Sequence, residues 1–454
     1  MEYKGLKVGT LLSVLAFLVG IYYRESENLL QKRLTAVLEG LEEVETKHVG
    51  SGRPRVAIGY GICTDVYIDA KYLITYSKDV GDPEHFDEIK SEDELLKSFA
   101  YYFRHGAAAE RFMPNGSLFN QLVSHAQSFS SSYSNIGGNA PVMAFRFAKE
   151  GCDVLLAAKM TKSLRQLIPS NIRVAGGDVQ QDDIHLVLEY KRGETWGPFT
   201  SSRANRVTND GQLSFSRGHF HCFSGMRFSR LMKVKQQMIN QPRSTKIHFE
   251  MASFAEENLL LELSELVIPF ADSLGMNEQE IANLYSLMYN GNISLVADSN
   301  PRVATVLDQM RLLFKLIRKN GKSIENARQL TRIHVHTLAY QAILNVKNSV
   351  WKNTMAAAAK ASLTANRHVC GSNNVDIQKA MLIMDDSFST SINAGRRIPL
   401  DIEKPVSCWD EVFKIDGDNV TIEVCVAPVL VCTQASQTAG GGDNISSAGL
   451  VPQI

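Results

Sequence analysis

Short apolar runs separated by longer stretches of helical spacing constrain this chain more than any single motif does. HLVLEY (His185 to Tyr190), KIHFEMAS (Lys246 to Ser253) and VTIEVCVAPVLVC (Val420 to Cys432) read as strands, the last as one or two. RVAIGYGICTDVYI (Arg55 to Ile68) is a β-rich run broken by glycines. Between such runs lie helical patterns. TVLDQMRLLFKLIRKNG puts Val306, Met310, Leu313 and Ile317 on one face and stops at Asn320-Gly321. Strands alternating with helices predict an α/β layered fold, a mainly parallel sheet flanked by helices. In such sheets ligands bind beyond the carboxyl ends of the strands. GYGICTD, HFE and GGGD would all fall there.

A chain of 454 residues buries a large core and has room for one large domain plus a smaller one. Lysine plus arginine and aspartate plus glutamate both number 48, so no nucleic-acid or anionic-membrane partner is expected from charge. Neutral composition and the lack of an exposed heptad favour a monomer. At the N-terminus, MEYKGLK carries two lysines and VGTLLSVLAFLVGIYY then runs without a charge. Residues 1–24 therefore read as a signal peptide or N-terminal signal anchor, short for a spanning helix, that would send the chain into the secretory pathway. The expected location is the endoplasmic reticulum lumen or outside the cell, with membrane contact only through an uncleaved N-terminus. Residues 25–54 read as a charged helical lead-in. Glycosylation sequons at Asn115, Asn292 and Asn419 are compatible with that route; a fourth, Asn444, lies inside the candidate site and is expected to stay unmodified. The seven cysteines form no CxxC pair, hence neither a disulfide framework nor a zinc module. One bridge is compatible with an oxidising lumen, and its pairing cannot be read.

Four stretches carry the chemistry. In TAGGGDNISSAGL (Thr438 to Leu450), Gly440, Gly441 and Gly442 let backbone N–H groups approach a ligand, and a helix starting there offers unpaired N–H groups suited to phosphate. Asp443 would compete with a resting phosphate. It makes sense as a base acting while a phosphoryl group is in transit, although a plain helix N-cap explains it structurally. In SNIGGNAPVMAF, Gly137, Gly138 and Asn139 open a helix that a ligand hydroxyl could approach. KIHFEMAS ends a strand with Glu250, and SLGMNEQEI opens a helix with Glu278 and Glu280, which alone would only complement the helix dipole. Magnesium takes few protein carboxylates and keeps waters and phosphate oxygens, so two glutamates beside a GGGD turn suit it. Anion cradle, metal platform and base together are the parts of a phosphoryl-transfer site.

Other motifs are weaker. GHFHC (His219, His221, Cys222) has no matching second half for a metal. RIHVHTL puts His334 and His336 on one strand face, two ligands where a zinc site needs more. AGGDVQQDD reads as a loop. No P-loop, GxSxG elbow or HExxH is present.

The chain resembles the ADP-dependent glucokinases of animals, the endoplasmic-reticulum branch of the ribokinase-like superfamily. GAAAERF, IGGNA, HLVLEY, ANR, HFEMAS, SLGMNEQE, LTRIHVHTL, PVLVC and GGGDNISSAGL carry the likeness in the family's order, from Val56 to Leu450. The resemblance implies a doubly wound large domain within residues 55–454 and a discontinuous α/β lid, roughly 67–132 and 183–212. It implies transfer of the β-phosphoryl group of ADP to the 6-hydroxyl of glucose, giving glucose 6-phosphate and AMP. Asp443 would be the base and Gly440 to Gly442 the phosphoryl cradle. Glu250 and Glu280, through waters, would help Asp443 place Mg²⁺. Asp65, Glu110, Gly137, Gly138 and Asn139 would orient the sugar, while Asn205 and Arg206 would reach the nucleotide. The chain departs from the family at Gly61, where relatives carry Asn, at Gly441, where they carry a larger residue, and in a shortened stretch over 207–225. These departures keep two alternatives open: a ribokinase-like kinase with another nucleotide or sugar, and a weakly active luminal sugar- or nucleotide-binding protein.

Overall fold

The glycine break in RVAIGYGICTDVYI separates two sheets. Arg55–Ile58 joins one domain, and Cys63–Asp69, only four residues later, joins the other. This computed structural model describes residues 25–47, 52–77, 80–211, 224–252, 257–293, 298 and 300–454. The N-terminal apolar segment, GHFHC and most of the shortened stretch lie outside the described residues. Among the described residues no helix is long and apolar enough to cross a membrane.

Five strands form a separate sheet, in the order Ala109–Met113, Asn205–Gly211, Ile184–Tyr190, Cys63–Asp69, Tyr133–Gly137. Alternation along them sorts the side chains. Val66, Ile68, Leu186, Leu188, Val207 and Ala109 enter an aromatic-rich core with Phe99, Phe103 and Trp196. The intervening Asp65, Tyr67, His185, Val187, Arg206, Thr208 and Glu110 line a cleft. The strands of this sheet lie within Cys63–Gly137 and Ile184–Gly211.

The large domain carries a parallel three-stranded sheet, Arg55–Ile58, Asp153–Ala157 and Ile172–Ala175. Beside it, a six-stranded sheet begins with His248–Glu250, Ser273–Asn277 and Arg332–His336, all parallel. Beyond Arg332–His336 the sheet turns antiparallel through Tyr340–Val346, Asp418–Pro428 and Ser407–Ile415. The parallel half carries the site at its carboxyl ends. Helix Val303–Gly321 buries Val306, Met310, Leu313 and Ile317 as its spacing predicts. The alanine-rich helix Thr354–Val369 lets the final helix, Gly441–Leu450, approach closely; a Cβ on Gly449 would sit 3.3 Å from Ala361 Cβ.

The lead-in helix over residues 25–46 packs rather than merely leads in. Leu34, Val37 and Leu41 are fully buried against Ala357, Ala358, Cys425 and Ala427. Two disulfides replace the single bridge expected. Cys408–Cys425 joins directly opposed residues of antiparallel strands, and Cys370–Cys432 ties the end of the alanine-rich helix to the strand before the glycine turn. Both pairings follow from register and packing, which cysteine spacing does not reveal.

Candidate active site

Two helix N-termini converge on the cleft. Helix Gly441–Leu450 starts from Gly440 at φ +67°, and helix Asn139–Lys149 from Gly138 at φ +91°, neither with a side-chain cap. Those glycines avoid the left-handed strain a side chain would meet, and the first N–H groups of each helix remain available to a ligand. The helices touch: a Cβ on Gly440 would lie 2.9 Å from Val142, and Arg146 Nε donates to Asn444 Oδ1 at 2.9 Å. Asn444, the fourth sequon, thus holds the two helices together.

Asp443 stands in the first turn of its helix and lines a cleft of about 2000 Å³. Desolvation by the surrounding protein, with the charges of Glu250 and Glu280 nearby, pushes its carboxyl well above the ordinary range. Glu250 is pinned on both oxygens, by His336 Nε2 at 2.9 Å and His248 Nε2 at 3.0 Å. Burial would raise its pKa, but the two histidines outweigh burial and hold it well below the usual carboxylate value. Burial likewise opposes protonation of His336, yet Glu250 prevails and raises it. Glu280 lies buried below the cleft, closing a capping box in which it accepts from Asn277 N and Nδ2 at 2.8 and 2.9 Å. Burial, helped by Glu250 and Glu278, pushes its carboxyl up to about 7.

The structure brings most of the candidates to one cleft. Asp65, Glu110 and Arg206, from the five-stranded sheet, line it together with Gly138, Asn139, Glu250, Gly440 and Asp443. Gly137 backs Asp65 so closely that a Cβ would overlap the carboxylate. Arg206 reaches the glycine turn, donating from Nη1 to Thr438 O at 3.2 Å. Asn205 does not join the site. Strand alternation turns it away from Arg206, and its amide is spent on Gly106 O at 3.0 Å and on the Arg206 N–H at 3.1 Å.

Sequence reading does not single out His248 or His185, and it weighs His336 only as a zinc ligand. His248 shares a strand face with Glu250, a signal present in the H-x-E spacing. His336 ends its strand beside Glu250, and His185 pairs in register with Asp65, Nδ1 to Oδ1 at 3.5 Å. Only pairing between distant strands reveals those two.

Fold and cleft define the class: an α/β phosphotransferase with an acid in the first turn of a glycine-opened helix. The ADP-specific phosphofructokinase/glucokinase conserved region matches residues 54–211 and 220–452, so the chain belongs to that family. The break in the match coincides with the shortened stretch. The chain is 30% identical over 428 residues to the ADP-dependent glucokinase of Bos taurus, covering 87% of this chain and 84% of that one. It is 26% identical over 483 residues to a probable ADP-dependent glucokinase of Caenorhabditis elegans, covering 97% and 94%. A solved ADP-dependent kinase complexed with fructose-6-phosphate and ADPβS shares the fold, with a TM-score of 0.61 at 14% identity, over 93% of this chain and 97% of that one.

Proposed function

We propose that this protein transfers the β-phosphoryl group of ADP to the 6-hydroxyl of glucose, forming glucose 6-phosphate and AMP. The observation that carries the reading is the placement of Asp443, an acid of raised proton affinity beside uncapped N–H groups, at the floor of a cleft between two lobes. The family and the bovine relative supply the substrate pair.

A sugar hydroxyl is a weak nucleophile at neutral pH, and a positioned carboxylate with raised pKa accepts its proton as the bond to phosphorus forms. The amides of Gly440 to Gly442 receive the moving phosphoryl oxygens, aided by the helix dipole. Arg206, reaching from the lid, adds positive charge toward the nucleotide. Asp65, Glu110 and the Gly138-Asn139 turn hold the sugar's hydroxyls. A cleft closed by the lid excludes the water that would otherwise accept the phosphoryl group.

The acids also fit Mg²⁺. Glu250, Glu280 and Asp443 make an oxygen-only, net-negative set in which the neighbours' charges raise Asp443. Glu250 and Glu280, whose oxygens already accept hydrogen bonds, would hold the ion through waters, with Asp443 nearest the cleft. Bound there, Mg²⁺ neutralises diphosphate charge. The two disulfides support an oxidising compartment such as the endoplasmic reticulum lumen.

The decisive assay measures AMP from purified protein given ADP or ATP, with and without glucose and Mg²⁺. AMP formation is expected only with ADP, glucose and Mg²⁺ together. Nucleotide and sugar binding without AMP would reject the reading.

A further inference from the structure

The lid carries a second cluster with ligand chemistry, unlike the all-oxygen set below Asp443. Cys63 Sγ lies 3.2 Å from Asp65 Oδ1 and 3.5 Å from His185 Nδ1, and those last two atoms are 3.5 Å apart. A tetrahedral zinc ion with bonds of about 2.0–2.3 Å has ligand-to-ligand edges of roughly 3.4–3.6 Å. The three atoms therefore already span close to one face of a zinc tetrahedron, before any rearrangement.

The sheet preorganises this triangle. Cys63 and Asp65 are alternate residues on one strand face, and His185 is Asp65's register partner on the parallel neighbour. Tyr67 donates its hydroxyl to the other Asp65 oxygen at 2.9 Å, and Gly137 presses on the same carboxylate, so the ligand is oriented from behind. Cys63 is fully buried, whereas Asp65 and His185 line the cleft. The fourth vertex therefore faces the cleft, in the space assigned above to the sugar.

We propose that Cys63, Asp65 and His185 form a site for a thiophilic divalent cation such as Zn²⁺, whose occupancy excludes glucose and inhibits the enzyme. Binding releases the Cys63 thiol proton to solvent, uses His185 in the tautomer with Nδ1 unprotonated, and leaves the open vertex to water. Mg²⁺, which takes oxygen ligands, does not compete. Exclusion of glucose rests on the proposed placement of the sugar; cation binding does not.

Co²⁺ titrated into the Mg²⁺-saturated protein tests binding. A sulfur-to-cobalt charge-transfer band is expected, lost in Cys63→Ser and suppressed by saturating glucose. In steady-state assays Zn²⁺ should raise the glucose KM at unchanged kcat, and Cys63→Ser should weaken that inhibition roughly tenfold or more. Thermal melts of Cys63→Ser and of a second variant, Cys63→Ala, verify that each folds. No band, or one that survives in a folded Cys63 variant, overturns the cation site even if ADP-dependent glucose phosphorylation is intact. A Cys63-dependent band that glucose leaves untouched overturns exclusion of the sugar. A band in protein that makes no glucose 6-phosphate leaves the site standing and rejects the enzymatic reading instead.

Discussion

Glu250 and His336 meet at 2.9 Å across an intervening strand, over Gly275. A Cβ on Gly275 would overlap the Glu250 carboxylate and lie 2.8 Å from Ser446 Oγ. Glycine is required there by close approach, not by backbone angle. Gly275→Ala should displace Glu250, lower kcat at least tenfold at fixed Mg²⁺ and cost about 1–3 kcal/mol of stability through overpacking. A destabilised variant with normal turnover and metal titration would separate Glu250 from the chemistry. Glu250→Gln should likewise raise the Mg²⁺ requirement more than the glucose KM.

Asp443→Asn separates catalysis from stability. Removing the base should reduce kcat by orders of magnitude while sugar and nucleotide still bind. The same change removes a carboxyl whose ionised form Glu250 and Glu280 oppose, so as pH rises the metal-free variant should melt above the wild type. Calorimetry in chelator and a kcat measurement decide both halves. Near-normal turnover removes Asp443 as the base.

Gly441 and Gly442 are neighbours with opposite tolerances. A Cβ on Gly441 meets nothing closer than His368 Cδ2 at 3.9 Å, whereas on Gly442 it would press 2.8 Å from His336 Cε1. Gly441→Ala keeps its N–H and helical backbone, so activity should stay within a few-fold, with stability rising by about 0.4–1 kcal/mol. Gly442→Ala should tilt His336 off Glu250 and lose kcat. Equal effects of the two substitutions on kcat would contradict this asymmetry.

Local pattern revealed some of this and long-range pairing the rest. The apolar run HLVLEY was readable because its strand is buried on both faces, and the 3.6-period helix ending at Asn320-Gly321 because one face is. Both glycine turns were readable because positive φ selects the residue type. His336, His185 and Cys63 were not, because each gains its meaning from a strand far away in sequence. Asn205 shows the converse: a motif places a residue beside a site, while alternation decides which face its side chain takes.

The acid cluster gives the metal-free protein a pH signature whose sign can be worked out. Glu280 and Asp443 hold protons in the folded state beyond the pH at which the unfolded chain releases them, Glu280 until about 7. Their stabilisation is complete below the unfolded carboxylate range and is lost as pH rises to the folded values. His336, raised by Glu250, acts in the same direction from about pH 6.5 upward. Glu250 works the opposite way, but its contribution is lost only in acid. Burial lowers His248 and His334, which regain stability as pH rises, and that gain is complete once the unfolded histidine value near 6.5 is passed. Above pH 6.5 every group of the cluster still titrating therefore pulls stability down, by about 1.4 kcal/mol per pH unit for each proton the folded state retains. Melting temperatures in chelator should fall from pH 6.5 to 8.5 more steeply in wild type than in Asp443→Asn. Mg²⁺ with ADP, which binds the ionised carboxylates, should flatten the wild-type curve. Parallel wild-type and variant curves would show that Asp443 keeps no extra proton, and the electrostatic basis for its role as base would fail.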